Sequence, residues 1–505
     1  MEFLSHLELG FAAAMSLTNL GYALLGCLLG TLIGVLPGLG PVATLAMLLP
    51  STYALPPATG LIMLAGIYYG AQYGGSTTAI LINLPGESSS VVTALDGHAL
   101  TKRNQAGRAL AVAAIGSFFA GCVGTLLLAA FSPQLVKVAF YFGPAEYFSL
   151  MCLGMIGSVA LSSGDLLKAL AMIIFGMTLG LVGSDVNTGV VRYSFGFLEL
   201  EDGIDFTVVA MALFGFGEII WNLQTRDQQA ATPPPRVAKL RLSWQMLRES
   251  FPAMFRGSML GSLLGILPGG GAVLASFAAY TFEKKMPLAE GEIPLGKGNL
   301  RGVAGPESAN NAGAQTSFIP MLTLGLPATP TMALMIAALS IHDIQPGPQM
   351  LTTHGDLFWT LVASMWIGNL FLLVLNFPLI NIWVKLLTIP YKWIFPAIVL
   401  FCTVGIYSIA SSSFSVWLLA GFIFFGYAAR RLGFEGAPLL LGFILGSQME
   451  EYLRRALTLS GGQWDVLWQR PISATLLAGS LLLLCTICLG SVRRKRAEIF
   501  VEDAE

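Results

Sequence analysis

Two short stretches of an otherwise apolar chain carry the side chains with chemistry to offer. Ser76, Thr77, Thr78 and Asn83 lie in YYGAQYGGSTTAILINLPGESSS, residues 68–90. Asn310, Asn311, Gln315, Thr316 and Ser317 lie in GPESANNAGAQTSFIPMLTLGLPATPT, residues 305–331. Hydroxyls and amides at this density suit contact with a substrate hydroxyl, a carboxylate or a cation. The blander use is interhelical hydrogen bonding, at about 1 kcal/mol or less per bond. Glu87, Asp96, His98, Glu307, His342 and Asp343 flank these units. Ionisable groups inside a membrane are functional candidates by default, but these fall near the expected membrane edges, where solvated caps are the expectation.

Each polar unit follows a glycine-ridged segment that ends in a break. Residues 26–42 read GCLLGTLIGVLPGLGPV and residues 257–273 read GSMLGSLLGILPGGGAV, with ten of seventeen aligned positions identical. Glycine recurs every fourth residue (Gly26, Gly30, Gly34; Gly257, Gly261, Gly265), a spacing that lets helices pack closely in membranes. A methyl added on this ridge is expected to do no more than loosen the contact. Both segments then run into Leu-Pro-Gly-x-Gly. A half-helix that restarts after such a tip, at Pro41 or Ala272, points free N–H groups and about +0.5 charge toward whatever lies beyond. Gly38, Gly40, Gly269 and Gly271 let a ligand approach those amides closely, and the natural ligand is a carboxylate. The expected substrate-contacting set is these four glycines with Ser76, Thr77, Asn83, Asn310, Asn311 and Thr316. Which groups, if any, hold a metal is open.

The surroundings of these units are membrane. The chain has 505 residues, 55% hydrophobic and 11% charged, where soluble domains carry about a quarter charged residues. Its net charge of −1 gives nucleic acid no reason to bind. Apolar runs long enough to cross a bilayer recur throughout, so the partner expected of most of the surface is lipid. Cys27, Cys122, Cys152, Cys402, Cys485 and Cys488 lie in apolar segments and are expected to pack rather than react. The N-terminus lacks the basic region of a cleavable signal, so no processing is expected.

The expected architecture is an all-α polytopic membrane protein with two repeats of inverted topology. It should have broken or re-entrant helices, with about 11 membrane spans plus two hairpins. The first repeat would occupy residues 1–225 and the second 257–505. Residues 226–256, with Pro233, Pro234 and Pro235 in a row, read as an extended cytoplasmic linker. Basic residues orient the chain. Arg493, Arg494, Lys495 and Arg496 put the C-terminus in the cytoplasm, while the first 50 residues hold no Lys or Arg and place the N-terminus outside. Segment 257–280 is flanked by basic loops on both sides and should enter and leave from the cytoplasm. The first copy, without basic flanks, should do so from outside. An odd number of spans between them inverts the second half. Arg454, Arg455 and Arg470 fall on the outer side and count against the scheme.

No HExxH, P-loop or glycosidase-type carboxylate pair is present, so an enzyme is not expected. Irregular backbone at membrane depth survives only where protein or water covers it, and paired breaks in inverted copies favour a transporter. A channel with re-entrant glycine-rich loops is the alternative.

The segments GTLIGVLPGLGPVATLAMLLP, YGAQYGGSTTAILINLPGE and ESANNAGAQTSFIPMLTLGLPATPT resemble the large membrane subunit of the tripartite tricarboxylate transporters, over nearly the whole chain. The second copy departs mildly, with Leu326-Pro327-Ala328 in place of Leu-Pro-Gly. The resemblance implies a permease of the bacterial inner membrane that works with a small four-helix membrane subunit and a periplasmic solute-binding protein. It further implies import of citrate-like tricarboxylates or other organic anions, driven by a Na+ or H+ gradient, with no cofactor beyond that coupling cation.

Overall fold

A computed structural model describes residues 2–36, 40–161, 165–185, 188–217, 220, 243–267, 271–288, 291–386, 396, 399–400, 402–407 and 412–488. The tip residues Pro37, Gly38 and Leu39, their counterparts Pro268, Gly269 and Gly270, and the triple proline lie outside the described residues.

The first half contains α1 (Glu2–Ala14), α2 (Leu17–Gly34), α3 (Pro41–Leu48), α4 (Pro57–Ile82), α5 (Val91–Lys102), α6 (Ala106–Ala139), α7 (Pro144–Leu161), α8 (Leu166–Gly180) and α9 (Phe206–Ala210). The second contains α10 (Trp244–Gly265), α11 (Gly271–Lys285), α12 (Arg301–Thr316), α13 (Phe318–Leu324), α14 (Pro330–Ile341), α15 (Gly355–Asn376), α16 (Ile380–Leu386), α17 (Ser413–Arg431), α18 (Gly436–Leu459) and α19 (Pro471–Cys488). Among the described residues the β structure is one two-stranded hairpin, Gly183–Ser184 with Val191–Arg192. The all-helical expectation therefore holds. Among the described residues four helices (α2, α6, α15 and α17) are long and apolar enough to cross a membrane by length and composition.

The expected order of elements recurs in both halves: a glycine-ridged helix, a break, a shorter helix, then a polar helix. The ridges do the same work twice. In α2, Gly26, Gly30 and Gly34 lie against the backbone of Met63, Ile67 and Ala71 on α4. In α10, Gly257, Gly261 and Gly265 lie against Gly305, Ala309 and Gly313 on α12. A Cβ at Gly30 would sit 2.2 Å from the Ile67 carbonyl oxygen, and one at Gly261 2.3 Å from that of Ala309. That corrects the expectation of a forgiving ridge: the neighbour is backbone, which cannot rotate away as a side chain does.

One boundary also differs. The linker was expected to run to residue 256, but α10 begins at Trp244. Its N-cap is Ser243, whose Oγ accepts from Met246 N at 3.2 Å. Met246, Ser250, Ala253 and Met254 line one buried face at helical spacing. Pro252 is tolerated within this helix.

The two polar helices occupy the centre. Every residue of α4 from Thr59 to Leu81 is buried, as is every residue of α12 from Gly302 to Thr316. Around them α15 packs on α4 and α6, while α12 packs on α5 and α6 of the first half. The halves thus interlock rather than sit side by side. On the periphery, α18 packs on α8 and α19 on α7.

Candidate functional site

The polar helix α4 and the helix α13 that follows α12 stop in the same way. α4 ends at Asn83, in the left-handed region at φ +57°, and α13 ends at Gly325, at φ +70°. Leu-Pro follows in each case. A left-handed residue with a proline close behind halts a helix firmly, and the chain then passes a glycine tip. A Cβ at Gly40, which precedes α3, would meet Gly86 O at 3.7 Å and Glu87 Cβ at 3.8 Å. A Cβ at Gly271 would lie 2.4 Å from Thr329 Cγ2. Glu87 and Thr329 hold matching positions after the two breaks, so each tip touches the equivalent residue of its own half.

The tips differ in how much they need glycine. Gly271 has φ +44°, where any side chain is strained. Gly40 is extended, at φ −71° and ψ 177°, and its neighbours stand at ordinary contact distance. α3 starts at Pro41 as expected, and no side chain caps its first amides. α11 starts one residue before the expected Ala272.

Behind the first tip lies a cluster of polar groups built from both halves. Asn310, fully buried on α12, donates from Nδ2 to Glu87 Oε1 at 3.0 Å. In the amide orientation that satisfies its neighbours, Gln72 Nε2 lies 3.0 Å from Glu87 Oε2 and 2.6 Å from Asn310 Oδ1. One turn back along α12, Glu307 is 1% exposed. Its Oε1 accepts from Thr93 Oγ1 at 2.6 Å and its Oε2 from Ser117 Oγ at 3.4 Å. Asn311 Nδ2 donates to Ser117 Oγ at 2.7 Å and to the Glu307 carbonyl at 3.0 Å. Ser76 and Thr77 join Glu307 in lining a small cavity.

Of the expected substrate contacts, the fold brings together Gly40, Ser76, Thr77, Asn310 and Asn311. Gly271 stands at the second tip, against Thr329. Thr316 is turned to packing: its hydroxyl donates to Ala312 O at 3.1 Å, and it lies hard against Gly265. Asn83 is exposed and serves as the left-handed stop of α4. Gly38 and Gly269 lie outside the described residues.

Two carboxylates expected at solvated edges are instead buried. Glu307 is one. Asp96 is the other, fully buried at the join of the halves. It accepts from the backbone N–H of Gly296, Gly298 and Asn299 at 2.7–2.9 Å, and from the Tyr280 hydroxyl at 3.1 Å. The sequence signal was present, since both stand in runs of small residues where a charge has no lipid-facing place. What it lacked was the partners. His342 and Asp343 do stay at an edge, half-buried and exposed.

The arginines that counted against the charge scheme are each paired. Arg454 lies 3.0 Å from Asp185 and close to Glu450, Arg455 meets Glu451, and Arg470 meets Glu146 at 2.8 Å. Among the described residues no ion pair includes Glu87 or Glu307. The cluster is therefore rich in oxygen and holds two carboxyl groups without a basic partner.

No solved structure matches the chain. An uncharacterized 52.8 kDa protein of Agrobacterium vitis, from the TAR-I ttuC' 3' region, is 53% identical over 505 residues, all of both chains. An uncharacterized protein from the TAR-II ttuC' 3' region of the same organism is 54% identical over 243 residues, all of that protein and 48% of this chain. The family model for the tripartite tricarboxylate transporter TctA family matches residues 20–441, a span that takes in both glycine ridges, both polar helices and the cluster between them. The chain belongs to the tripartite tricarboxylate transporter TctA family and is a membrane component of a multi-part transport system.

Proposed function

We propose that this chain is the permease of a bacterial inner-membrane system that imports citrate-like tricarboxylates or related organic anions. A periplasmic binding protein would deliver the anion, and a small four-helix membrane subunit would complete the assembly. The two halves act as inverted repeats around a central site, with one glycine tip approaching from each side of the membrane. The observation that carries this reading is the repeated construction. Each half sets a glycine tip against the residue that follows its Leu-Pro break, and the two polar helices are buried from Thr59 to Leu81 and from Gly302 to Thr316. Discontinuous helices paired in this way are how secondary transporters build a midplane site.

Chemistry adds the coupling. Glu87 stands beside the first tip and Glu307 one turn away, and no Lys or Arg of the described residues pairs with either. A multiply charged anion meets like charge there unless a cation or proton arrives with it. Cation-coupled symport follows from that requirement.

The decisive experiment is uptake of labelled organic anions into proteoliposomes that hold the chain and its small partner. Binding protein is added outside, and an imposed Na+ or proton gradient supplies the drive. Accumulation above the external concentration is expected, collapsing when the gradient is discharged. Downhill equilibration alone would make the protein a channel.

A further inference from the structure

We propose that the cavity beside Glu307 is a Na+ site, formed by one carboxylate and a shell of neutral oxygens from α4, α6, α12 and α15. The cavity measures about 10 Å³ and is lined on its polar side by Tyr73, Ser76, Thr77, Ser117, Glu307 and Asn376. A volume of that order holds about one water-sized particle, which suits one unhydrated small cation.

Donors around the cavity are already committed, while the Asn376 Oδ1 acceptor is not. The Ser76 hydroxyl donates to Gln72 O at 3.3 Å and the Thr77 hydroxyl to Tyr73 O at 3.2 Å. Tyr73 gives its proton to Asn369 Oδ1 at 3.1 Å. Asn376 is 5% exposed and donates from Nδ2 to Leu372 O at 3.0 Å, leaving its Oδ1 buried without a hydrogen-bond partner. A buried acceptor with no donor costs about 1–3 kcal/mol, and here it shares a cavity with an unpaired carboxylate. Spare lone pairs from several directions are what a hard cation needs, since such ions take oxygen ligands.

Enclosed without a basic partner, the Glu307 carboxyl takes up either a proton or a metal ion, and the geometry favours the ion: Thr93 and Ser117 already donate to it, and the Asn376 Oδ1 in the same cavity has no donor. A charged carboxylate enclosed without a basic partner is compensated by a cation in the space it faces. Glu307 lies one turn from Asn310, which holds Glu87 beside the Gly40 tip. An ion here therefore neutralises charge next to the proposed anion path. The use made of the ion rests on the transport reading, but its binding does not.

Binding is measured on the purified full chain in detergent without substrate, as the thermal-unfolding midpoint against rising NaCl. Choline chloride holds the ionic strength constant and KCl is run in parallel. A saturating rise with Na+, absent with choline and weaker with K+, is expected. Glu307→Gln should abolish the Na+-dependent rise, and Glu451→Gln, at a distant surface pair, should keep it. Should Glu307→Gln fail to fold, Asn376→Leu carries the test, with apparent Na+ affinity expected to fall about tenfold, the equivalent of 1.4 kcal/mol. A wild-type midpoint indifferent to Na+ would mean that the cavity holds only water or a proton, and it overturns the site. So does an unchanged Na+ response in Glu307→Gln or Asn376→Leu. Uptake driven by a pH gradient with no Na+ shift removes the Na+ site and leaves transport standing. A Na+ shift without uptake does the reverse.

Discussion

Single residues in this protein are held by partners far away in sequence, and that decides what each substitution costs. Asn310 is the buried donor that reaches Glu87 from the other half. Asn310→Leu is close in size and removes the donor while leaving the carboxylate in place, so anion uptake should fall at least about tenfold, a loss of about 1.4 kcal/mol. The folded yield should change little. Uptake assays paired with size-exclusion profiles check this, and normal uptake would place the anion path elsewhere. Glu283 gives a contrasting case. It is 1% exposed and takes Arg256 in a two-point contact at 2.7 and 2.8 Å, with Arg301 at 2.9 Å. Its role is to tie α10, α11 and α12 together. Removing one partner of a buried ion pair costs about 3–5 kcal/mol, and the low end applies because Arg256 and Arg301 keep 26% and 12% exposure. Glu283→Gln should lower the unfolding midpoint of the purified protein, with Na+-dependent stabilisation retained. An unchanged midpoint would show that the pair is idle.

At the scale of elements, the two kinds of glycine exchange the roles that spacing suggests. Gly30 faces backbone at a distance no Cβ tolerates, so Gly30→Ala must push α2 away from α4. Overpacking of this kind costs about 1–3 kcal/mol. Gly40 is extended and has room for a methyl, so Gly40→Ala should fold normally. The second half does not split this way: Gly261 is intolerant, and Gly271 is both strained by its positive φ, at about 1–2 kcal/mol, and close against Thr329. Detergent-stability measurements should rank Gly30→Ala and Gly261→Ala below Gly40→Ala. The opposite ranking would mean that the ridge contacts are looser than the structure places them. Gly40→Ala then becomes the clean probe of the tip, because any loss of uptake cannot be assigned to folding.

For the whole molecule, the inverted arrangement makes a prediction about sides. Ser51 follows α3 and Lys285 ends α11, and both are exposed. Thr52, next to Ser51, is 3% exposed and unsuitable for labelling. In a background without native cysteines, Ser51→Cys should react with an impermeant thiol reagent added outside, and Lys285→Cys only from the cytoplasmic face. Reaction of both from one side would remove the inversion and with it the alternating-access scheme. The interlock of the halves adds a constraint on any such motion. α12 is enclosed by α5 and α6, and Asp96 is gripped by the 296–299 loop. These contacts oppose one half sliding past the other as a block.

The helical membrane character and the breaks after α4 and α13 were legible in the chain because they rest on local pattern. Apolar runs, glycine at every fourth residue and proline after a small residue act within a few residues of themselves. Asn310 and Asn311 were legible as well, since amides at that density have few uses in an apolar setting. What the tertiary structure alone decided was which polar groups face each other. Glu307 is buried because Thr93 and Ser117, 214 and 190 residues away, close over it. Asp96 is buried because backbone amides some 200 residues further on surround it. Thr316 and Asn83 left the site for the same reason: one met a glycine ridge, and the other was needed as the left-handed stop of its helix. Burial of a charge and tolerance of a methyl both depend on the atom opposite, and that atom comes from a distant part of the chain.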